Sequence, residues 1–392
     1  MPLFDPVVIG LVLVCLLATR VPSQRLRLGV LIAASCGFWL YVDARGLLVC
    51  AAIGVFAYIA PALLRRLPNG LSRASLLALC IVTILMPMLW SRYILELPWL
   101  TSTSSAVRWV PLGISYTTFR LLSHMLDHAR PRAVYVSPAR HGLYALFFPI
   151  AVSGPIERWD SFAGQDGSWS GAGNVGLGLH RIITGVFKKV VIADTCLYHL
   201  TWLALPGGGH GAIGSPVLAW IAFFAYAWKV YMDFSGYTDI AIGVARLCGY
   251  RITENFDRPF LATNPADFWR RWHITLSQWI QGYLFMPVAK RWRTKLGMHI
   301  GVWVSMVLCG AWHGPSLQFV LWGAYWAAGI SAWHLWSDWR RKRGSPLEVL
   351  PRVFTRALSV CCTYVYTSLS FVLFCVGPQG TVAVLKGMVG LG

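Results

Sequence analysis

The sequence has 392 residues, 56% hydrophobic and 12% charged, with a mean hydropathy of +0.57. Soluble domains carry about 25% charged residues, so this composition excludes an ordinary soluble domain and places the chain in a bilayer. The formal net charge of +19 invites a nucleic-acid reading, but the bases fall in alternate loops, which is the positive-inside pattern of a membrane protein.

The apolar runs, in chain order, cover residues 3–19, 28–42, 47–64, 74–95, 142–156, 217–231, 300–312, 317–336 and 357–376. A spanning helix needs roughly 17 to 25 apolar residues, so the sequence predicts about ten to twelve membrane helices, several of them short or broken. The first run starts at Leu3 with no basic region before it and no small-residue cleavage site after it. It reads as a membrane helix, not a signal peptide. Bases gather at Arg20, Arg25 and Arg27, then at Arg65, Arg66 and Arg73, then at Arg130, Arg132 and Arg140. The intervening connections hold Asp43-Ala44-Arg45 and Glu96-Leu97-Pro98, and later basic clusters occupy residues 290–295 and 340–343. This alternation puts the basic loops in the cytoplasm and the N-terminus on the periplasmic side. The 20 Trp and 15 Tyr suit interface belts and a lined cavity equally. The ten cysteines are scattered, without a C-x-x-C or zinc spacing. They read as buried thiols.

The chain reads as a single membrane-embedded domain, 1–392. Scaffold helices occupy 1–106, a polar-studded core 107–336, and closing helices 337–392. No soluble domain, low-complexity tract or internal repeat is visible; the longer polar connections are residues 101–105, 159–173, 206–215 and 336–351. The core carries Ser115, Arg120, His124, Asp127, Glu157, Lys188, Lys189, Asp233, Asp239, Arg246 and Arg270. Each costs free energy at membrane depth unless paired or hydrated. A share of them snorkels to the interfaces, and the rest predict a water-filled cavity or tunnel.

Gly171-Ala172-Gly173-Asn174-Val175-Gly176 has the form G-x-G-x-x-G. No strand precedes it, so it reads as a loop entering a membrane helix. His124 and His128 stand at i, i+4, a spacing that binds metal. With no third ligand nearby, an interfacial helix face with Asp127 is the better reading, and no metal site is expected. No G-x-S-x-G elbow or Walker lysine loop occurs, which leaves a membrane hydrolase or an ATP-driven pump without support.

Asn264 and Pro265 mark a helix start, as cap and first residue. The helix that follows carries Phe268, Trp269, Trp272, Leu276 and Trp279 among Arg270, Arg271, His273 and Gln278. Such an amphipathic segment belongs in an interface or at a tunnel mouth. Its arginines suit an anionic group such as a phosphate, or interface anchoring alone. His313 lies in Gly310-Ala311-Trp312-His313-Gly314-Pro315, between two apolar stretches. It therefore sits near the top of a hairpin or at a mid-membrane break. Helix breakers there free backbone groups, tolerable at depth only where protein or water satisfies them. An ionisable side chain at such depth marks a functional site, and histidine suits proton transfer near neutral pH. His273 and His313 are the candidate catalytic residues.

Residues 267–280 (DFWRRWHITLSQWI) and 310–314 (GAWHG) resemble the two signatures of the membrane-bound O-acyltransferases. Residues 111–119 (PLGISYTTF), 148–150 (FPI), 153–158 (SGPIER), 185–189 (GVFKK), 233–239 (DFSGYTD) and 255–260 (NFDRPF) are similar to further family segments. The likeness runs in the family's order from residue 107 to 326. It points to the bacterial branch with alginate O-acetyltransferases and teichoic-acid D-alanyltransferases.

The resemblance implies an all-α polytopic membrane protein. Its helices would form a ring around a thin central region with a tunnel, plus short re-entrant or interfacial helices. No cofactor would be bound. An acyl thioester, acetyl-CoA or an acyl-carrier protein, would approach from the cytoplasm as co-substrate, and a hydroxyl acceptor from the other side. The family's catalytic histidine corresponds to His313 and its second functional histidine to His273. Trp312, Trp269, Arg270, Arg271, Asp233, Asp239, Asn255 and Ser235 are candidate substrate- or tunnel-lining residues. Residues 188–194 and 268–273 look like the alginate-type enzymes, whereas the length and Thr118-Phe119-Arg120 look closer to the D-alanyltransferases. After residues 283–287 the alginate-type enzymes continue with Gly-Gly-Asn-Arg, and this chain has Val288-Ala289-Lys290-Arg291-Trp292.

The expected activity is acetyl transfer to an exported or cell-surface polysaccharide at the bacterial cytoplasmic (inner) membrane. It would run through a periplasmic acyltransferase or esterase-like partner, with no nucleic acid involved. His313 would act as general base, and His273 or Trp312 Nε1–H would steady the oxyanion. The alternative is D-alanyl transfer from an acidic carrier protein docked on residues 290–295. A transporter or polysaccharide channel is a third reading, since intramembrane charges and broken helices suit one; the missing repeat and the two histidines stand against it.

Overall fold

The computed structural model describes residues 5–96, 109–130, 137–168, 172–202, 215–343 and 351–391. The connection at 101–105, most of that at 206–215, and Arg132 lie outside them. Every described element is helical, with no strand among the described residues. Five helices are long and apolar enough to cross a membrane: Gln24–Arg66, Leu71–Arg92, Pro216–Leu247, Lys295–Trp312 and Arg352–Met388. A shorter apolar helix, Pro6–Ala18, precedes them. Large apolar side chains such as Leu40, Leu48, Val55, Leu79 and Val82 point outward, as lipid-facing residues do in a helix whose backbone bonds are satisfied internally. The fold is that of an all-α polytopic membrane protein.

Gln24–Arg66 runs for 43 residues, which at 1.5 Å per residue is about 65 Å, twice the roughly 30 Å hydrocarbon core. It is broken at Asp43, whose φ of −158° and ψ of 82° are not helical. The Asp43 carboxylate accepts hydrogen bonds from the backbone N–H of Gly46 (2.9 Å) and Leu112 (2.9 Å) and from Trp109 Nε1–H (3.2 Å). The apolar runs 28–42 and 47–64 thus meet at a break that one carboxylate caps.

The chain forms two compact units, Met1–Thr184 with Tyr237–Glu254, and Gly185–Gly236 with Asn255–Gly392. The first has a polar interior. Arg120, fully buried, donates to the carbonyls of Tyr144 (3.0 Å) and Ala145 (3.3 Å) and to Thr117 Oγ1 (3.3 Å). The Glu157 carboxylate accepts from the Thr253 N–H (2.8 Å) and hydroxyl (3.1 Å). His124 and His128 do not form an interfacial face: both are buried, with their rings 4.1 Å apart and tilted by 32°, and edge-on to Trp159. Their spacing serves packing, with His128 Nδ1 at 2.9 Å from the His124 carbonyl, and Asp127 instead pairs with Arg130 and Arg158 at 3.3 Å each. The G-x-G-x-x-G segment is not a loop: its residues 172–176 are the first residues of the helix Ala172–Val186, and Gly171 lies outside the described residues.

Several bases of the basic clusters, which the structure places in terminal turns of helices, bond carbonyls. Arg65 donates to the His128 carbonyl (2.6 Å) and Arg73 to that of Ala129 (2.9 Å), at the C-terminus of Ile114–His128. Arg27 donates to Val21 and Pro22 carbonyls and to the Asp166 carboxylate. Cations placed there satisfy orphan carbonyls and complement the helix dipole.

Replacing Asp43 by Ala leaves the Leu112 and Trp109 donors without their acceptor. Thermal unfolding of the detergent-purified variant is expected to show a loss of about 1–3 kcal/mol, with Asp43→Asn recovering part of it.

Candidate active site

His313 stands on the turn of a helical hairpin. The first arm, Lys295–Trp312, is capped by Thr294, whose hydroxyl accepts from Gly297 N–H (3.0 Å), and it ends with His313 as C-cap. The second arm is Leu317–Arg343. Two glycines set how closely the arms pack. A Cβ on Gly310 would overlap the Phe319 carbonyl oxygen, and one on Gly323 would overlap that of Met306. The obstacle is backbone in both cases, so neither position has room for a methyl group. The first glycine of GAWHG is therefore a packing residue, and it fixes the turn that carries the histidine.

Four aromatic rings surround the half-buried His313 imidazole. Trp312 lies at 4.5 Å and Phe319 at 6.1 Å, while Trp322 (5.3 Å, 87°) and Phe374 (4.9 Å, 88°) present edges. Phe374 comes from Arg352–Met388, a helix interrupted at Gly377 (φ 69°, ψ −178°) and Pro378. Proline has no N–H, so the carbonyl four residues earlier loses its helical donor. That carbonyl is Phe374's, and Gln318 Nε2 donates to it at 3.1 Å. Thr381 Oγ1 donates to the Gly377 carbonyl (2.6 Å).

His273 sits at a second break. The predicted start is present: Asn264 Oδ1 accepts from Asp267 N–H (2.8 Å), with Pro265 at the first helical position. The helix ends at Arg271, however, and a second one, Ile274–Ile280, starts after it. Between them His273 takes a left-handed conformation (φ 44°, ψ 53°), uncommon and costly for a residue with a Cβ. Pairing with a distant segment compensates. Asp257 N–H donates to the Arg271 carbonyl and Ile274 N–H to the Asn255 carbonyl, both at 2.9 Å.

The imidazole is buried, 4% exposed, with Nδ1 at 3.1 Å from Asn255 Oδ1 and the Phe234 ring edge-on at 4.8 Å. It lies outside the spanning helices. Burial, with a smaller contribution from His313, pushes its pKa down to about 3. The neutral imidazole is therefore the form present at physiological pH, and the two histidines lie within electrostatic reach of each other.

The helices on either side of His273 line a cavity of about 510 Å³, which the two histidines themselves do not line, within the roughly 300–1,000 Å³ of small-molecule sites. Its wall includes Trp269, Ile274, Ser277, Gln278, Ser305 and Met306. Trp269 Nε1 and Ser305 Oγ are buried there with no hydrogen-bond partner among the described residues, and such groups call for a ligand or water. Arg270, 72% exposed and 3.1 Å from Asp267, also lines the cavity.

The remaining candidates separate. Asp233 pairs with Lys189 (2.5 Å), which also holds Asp194 (2.8 Å) on the π-helical segment Phe187–Leu197. Ser235 is buried, with no partner for its hydroxyl among the described residues. Arg271 does not line the cavity; it is tied to Asp267 (3.1 Å) and Asp257 (3.7 Å). Asp239 belongs to the other unit, where Arg181 bonds it at 2.6 Å and also bonds Glu254. Sequence reasoning missed Phe374, Gln318, Trp322 and Ser305. Gly377-Pro378 within an apolar run signals a break, but nothing local ties that break to His313.

Fold and site together define a polytopic membrane protein with a histidine pair, one on a helical hairpin and one beside a ligand-sized cavity. The sequence matches the model of MBOAT, the membrane-bound O-acyltransferase family, over residues 35–376. The chain belongs to that family. It is 32% identical to the peptidoglycan O-acetyltransferase of Helicobacter pylori over 280 residues, 70% of this chain and 49% of that protein. It is 31% identical to the probable alginate O-acetylase AlgI of Pseudomonas aeruginosa over 274 residues, 68% of this chain and 48% of that protein. With the teichoic acid D-alanyltransferase of Bacillus subtilis it shares 30% identity over 277 residues, 67% of this chain and 68% of that protein. The chain thus spans about half the length of the first two relatives.

Gly323→Ala forces backbone apart at the hairpin. It is expected to cost about 1–3 kcal/mol, the range for overpacking, measured as a lower unfolding midpoint than that of Gly282→Ala, where a Cβ meets nothing within 4 Å.

Proposed function

We propose that this protein is an O-acyltransferase of the bacterial cytoplasmic membrane. It would move an acyl group, acetyl by first choice, from a cytoplasmic thioester to a hydroxyl of an exported or cell-surface polysaccharide. The observation that carries the reading is the two histidines at helix breaks, His313 in its aromatic enclosure and His273 buried between Trp269 and Ile274, which line the cavity. Support comes also from relatives named as acetyltransferases of peptidoglycan and alginate.

The reaction asks for three things. As the acceptor oxygen attacks the thioester carbon, its proton must leave, and an imidazole nitrogen of His313 takes it. General-base help of this kind contributes roughly 10²–10⁴ in rate. The carbonyl oxygen gains charge in the tetrahedral intermediate and needs a donor, for which Trp312 Nε1–H and His273 are the candidates. When the C–S bond breaks, the proton on His313 passes to the thiolate, so the enzyme ends as it began. The cavity suits the donor arm: Arg270 for a phosphate by charge-assisted hydrogen bonds, Ser277 and Gln278 for amide groups, and apolar walls that exclude water.

D-alanyl transfer from a carrier protein is the second reading. The D-alanyltransferase relatives favour it, since this chain covers about two thirds of their length. An acidic carrier would dock on the basic residues 290–295. In either case the basic loops would face the cytoplasm and the N-terminus the periplasm, and a periplasmic acyltransferase or esterase-like partner would complete transfer to the polymer.

Mass spectrometry of cell-surface glycans, in cells with wild-type protein or His313→Ala at matched membrane levels, tests this. The variant is expected to lose O-acetyl esters, with the rate down by about 10²–10⁴. Loss of D-alanyl esters instead would select the second reading, and unchanged esters would refute both. In purified protein, Arg270→Gln is expected to raise KM for the thioester roughly tenfold or more with kcat little changed, because a hydrogen bond to a charged group is worth about 1.5–3 kcal/mol.

A further inference from the structure

We propose that Asn255 is the positioning residue that sets the tautomer of His273, holding the proton on Nδ1 and leaving Nε2 to accept a hydrogen bond from a substrate O–H or N–H. What His273 faces rests on the acyl-transfer reading above. The tautomer rests on geometry alone.

The two ends of a side-chain amide are told apart by their neighbours. For Asn255 the neighbour that decides is Thr275. Its backbone N–H, which can only donate, lies 3.3 Å from Asn255 Oδ1, and its hydroxyl lies 2.9 Å from the same atom. Turning the amide over would set an NH₂ against that N–H. The atom facing the threonine is therefore oxygen. His273 Nδ1 stands 3.1 Å from this same oxygen. An oxygen only accepts, so Nδ1 carries hydrogen, and a neutral imidazole then has its lone pair on Nε2.

Asn255 also holds the backbone. Its carbonyl takes the Ile274 N–H at 2.9 Å, so one residue grips His273 through its ring and through the peptide that follows it. Asn255 is fully buried and His273 nearly so, and burial disfavours the imidazolium. The arrangement serves the purpose of the carboxylate behind an acid–base histidine, which keeps the ring in one tautomer and orientation. A neutral acceptor differs in adding no charge, so the ring stays neutral. With hydrogen on Nδ1, neutral His273 cannot donate through Nε2 to an oxyanion, and that task passes to a group such as Trp312 Nε1–H.

The test uses the full chain in lipid nanodiscs with ¹⁵N-labelled histidine, the His273 signals assigned by their loss in His273→Gln. The wild type is expected to show Nδ1 protonated and Nε2 unprotonated. Nε2–H in the wild type would overturn the proposal, whether or not any variant folds. Asn255→Leu removes the acceptor; acyl transfer is expected to fall roughly 10²-fold or more, with the Nε2–H form appearing. Asn255→Asp keeps the acceptor and adds a charge. Its imidazolium is stabilised, so transfer gains a second acid limb beyond that of the base His313, full above the raised His273 pKa and lost as pH falls through it. The titratable group acting on His273 from elsewhere is His313; Phe234 and Thr275, which pack against it, carry no charge. A folded Asn255→Leu with the wild-type tautomer and pH profile would also overturn the proposal. The spectrum reads the tautomer whether or not acyl groups move, so failure of the proposed reaction and failure of this inference are separate results.

Discussion

A backbone amide or carbonyl freed inside a membrane has no water to turn to, and each one left unpaired costs several kcal/mol. This constraint shapes the structure wherever a helix stops short. At Asp43 a carboxylate takes up the amides of Gly46 and Leu112. At Pro378 the carbonyl of Phe374 is taken by Gln318. At His273 the Asn255–Asp257 segment supplies a carbonyl and an amide to the two helices it separates. Two of these repairs touch the histidine pair directly, one through the ring of Phe374 and one through Asn255. In both places the repair of the backbone also positions a side chain, the ring of Phe374 against His313 and the imidazole of His273 against Asn255.

Charge follows the same economy. Arg65, Arg73 and Arg27 stand in the first or last turns of their helices, and each donates to carbonyls at helix ends or in turns. A guanidinium can do this because it carries several donors and keeps its charge when bonded. Deeper in the chain, ions meet partners: Asp233 with Lys189, and Asp239 with Arg181. Their cost at depth is offset by pairing, which is why a run of polar residues does not by itself locate a substrate path.

Much of this was legible locally. The cap at Asn264, the helix start at Pro265 and the hairpin around His313 follow from neighbouring residues, and the structure has them. The break at residues 272–273 was not legible. The aromatic and basic pattern from 265 to 279 is continuous, and the left-handed turn at His273 exists because a segment beginning 18 residues earlier pairs with it. Adjacent residues also part company. Arg270 lines the cavity while Arg271 is bound to Asp257 and Asp267. Asp233 and Asp239 share one short motif and one helix, yet fall in different compact units. A motif records which residues matter together, and packing decides which of them meet.

The glycine contact between the hairpin arms has a mechanical consequence. Carbonyl oxygens of Phe319 and Met306 occupy the places where side chains would stand at Gly310 and Gly323. Sliding one arm past the other would bring a larger residue against those oxygens, so the hairpin moves as one piece. Three of the four rings around His313 (Trp312, Phe319 and Trp322) travel with it. Phe374 belongs to another helix and lies three residues before that helix's break at Gly377. Gln318 on the second arm holds the Phe374 carbonyl beside that break, so the fourth ring is coupled to the hairpin by one hydrogen bond, where the other three are built into it.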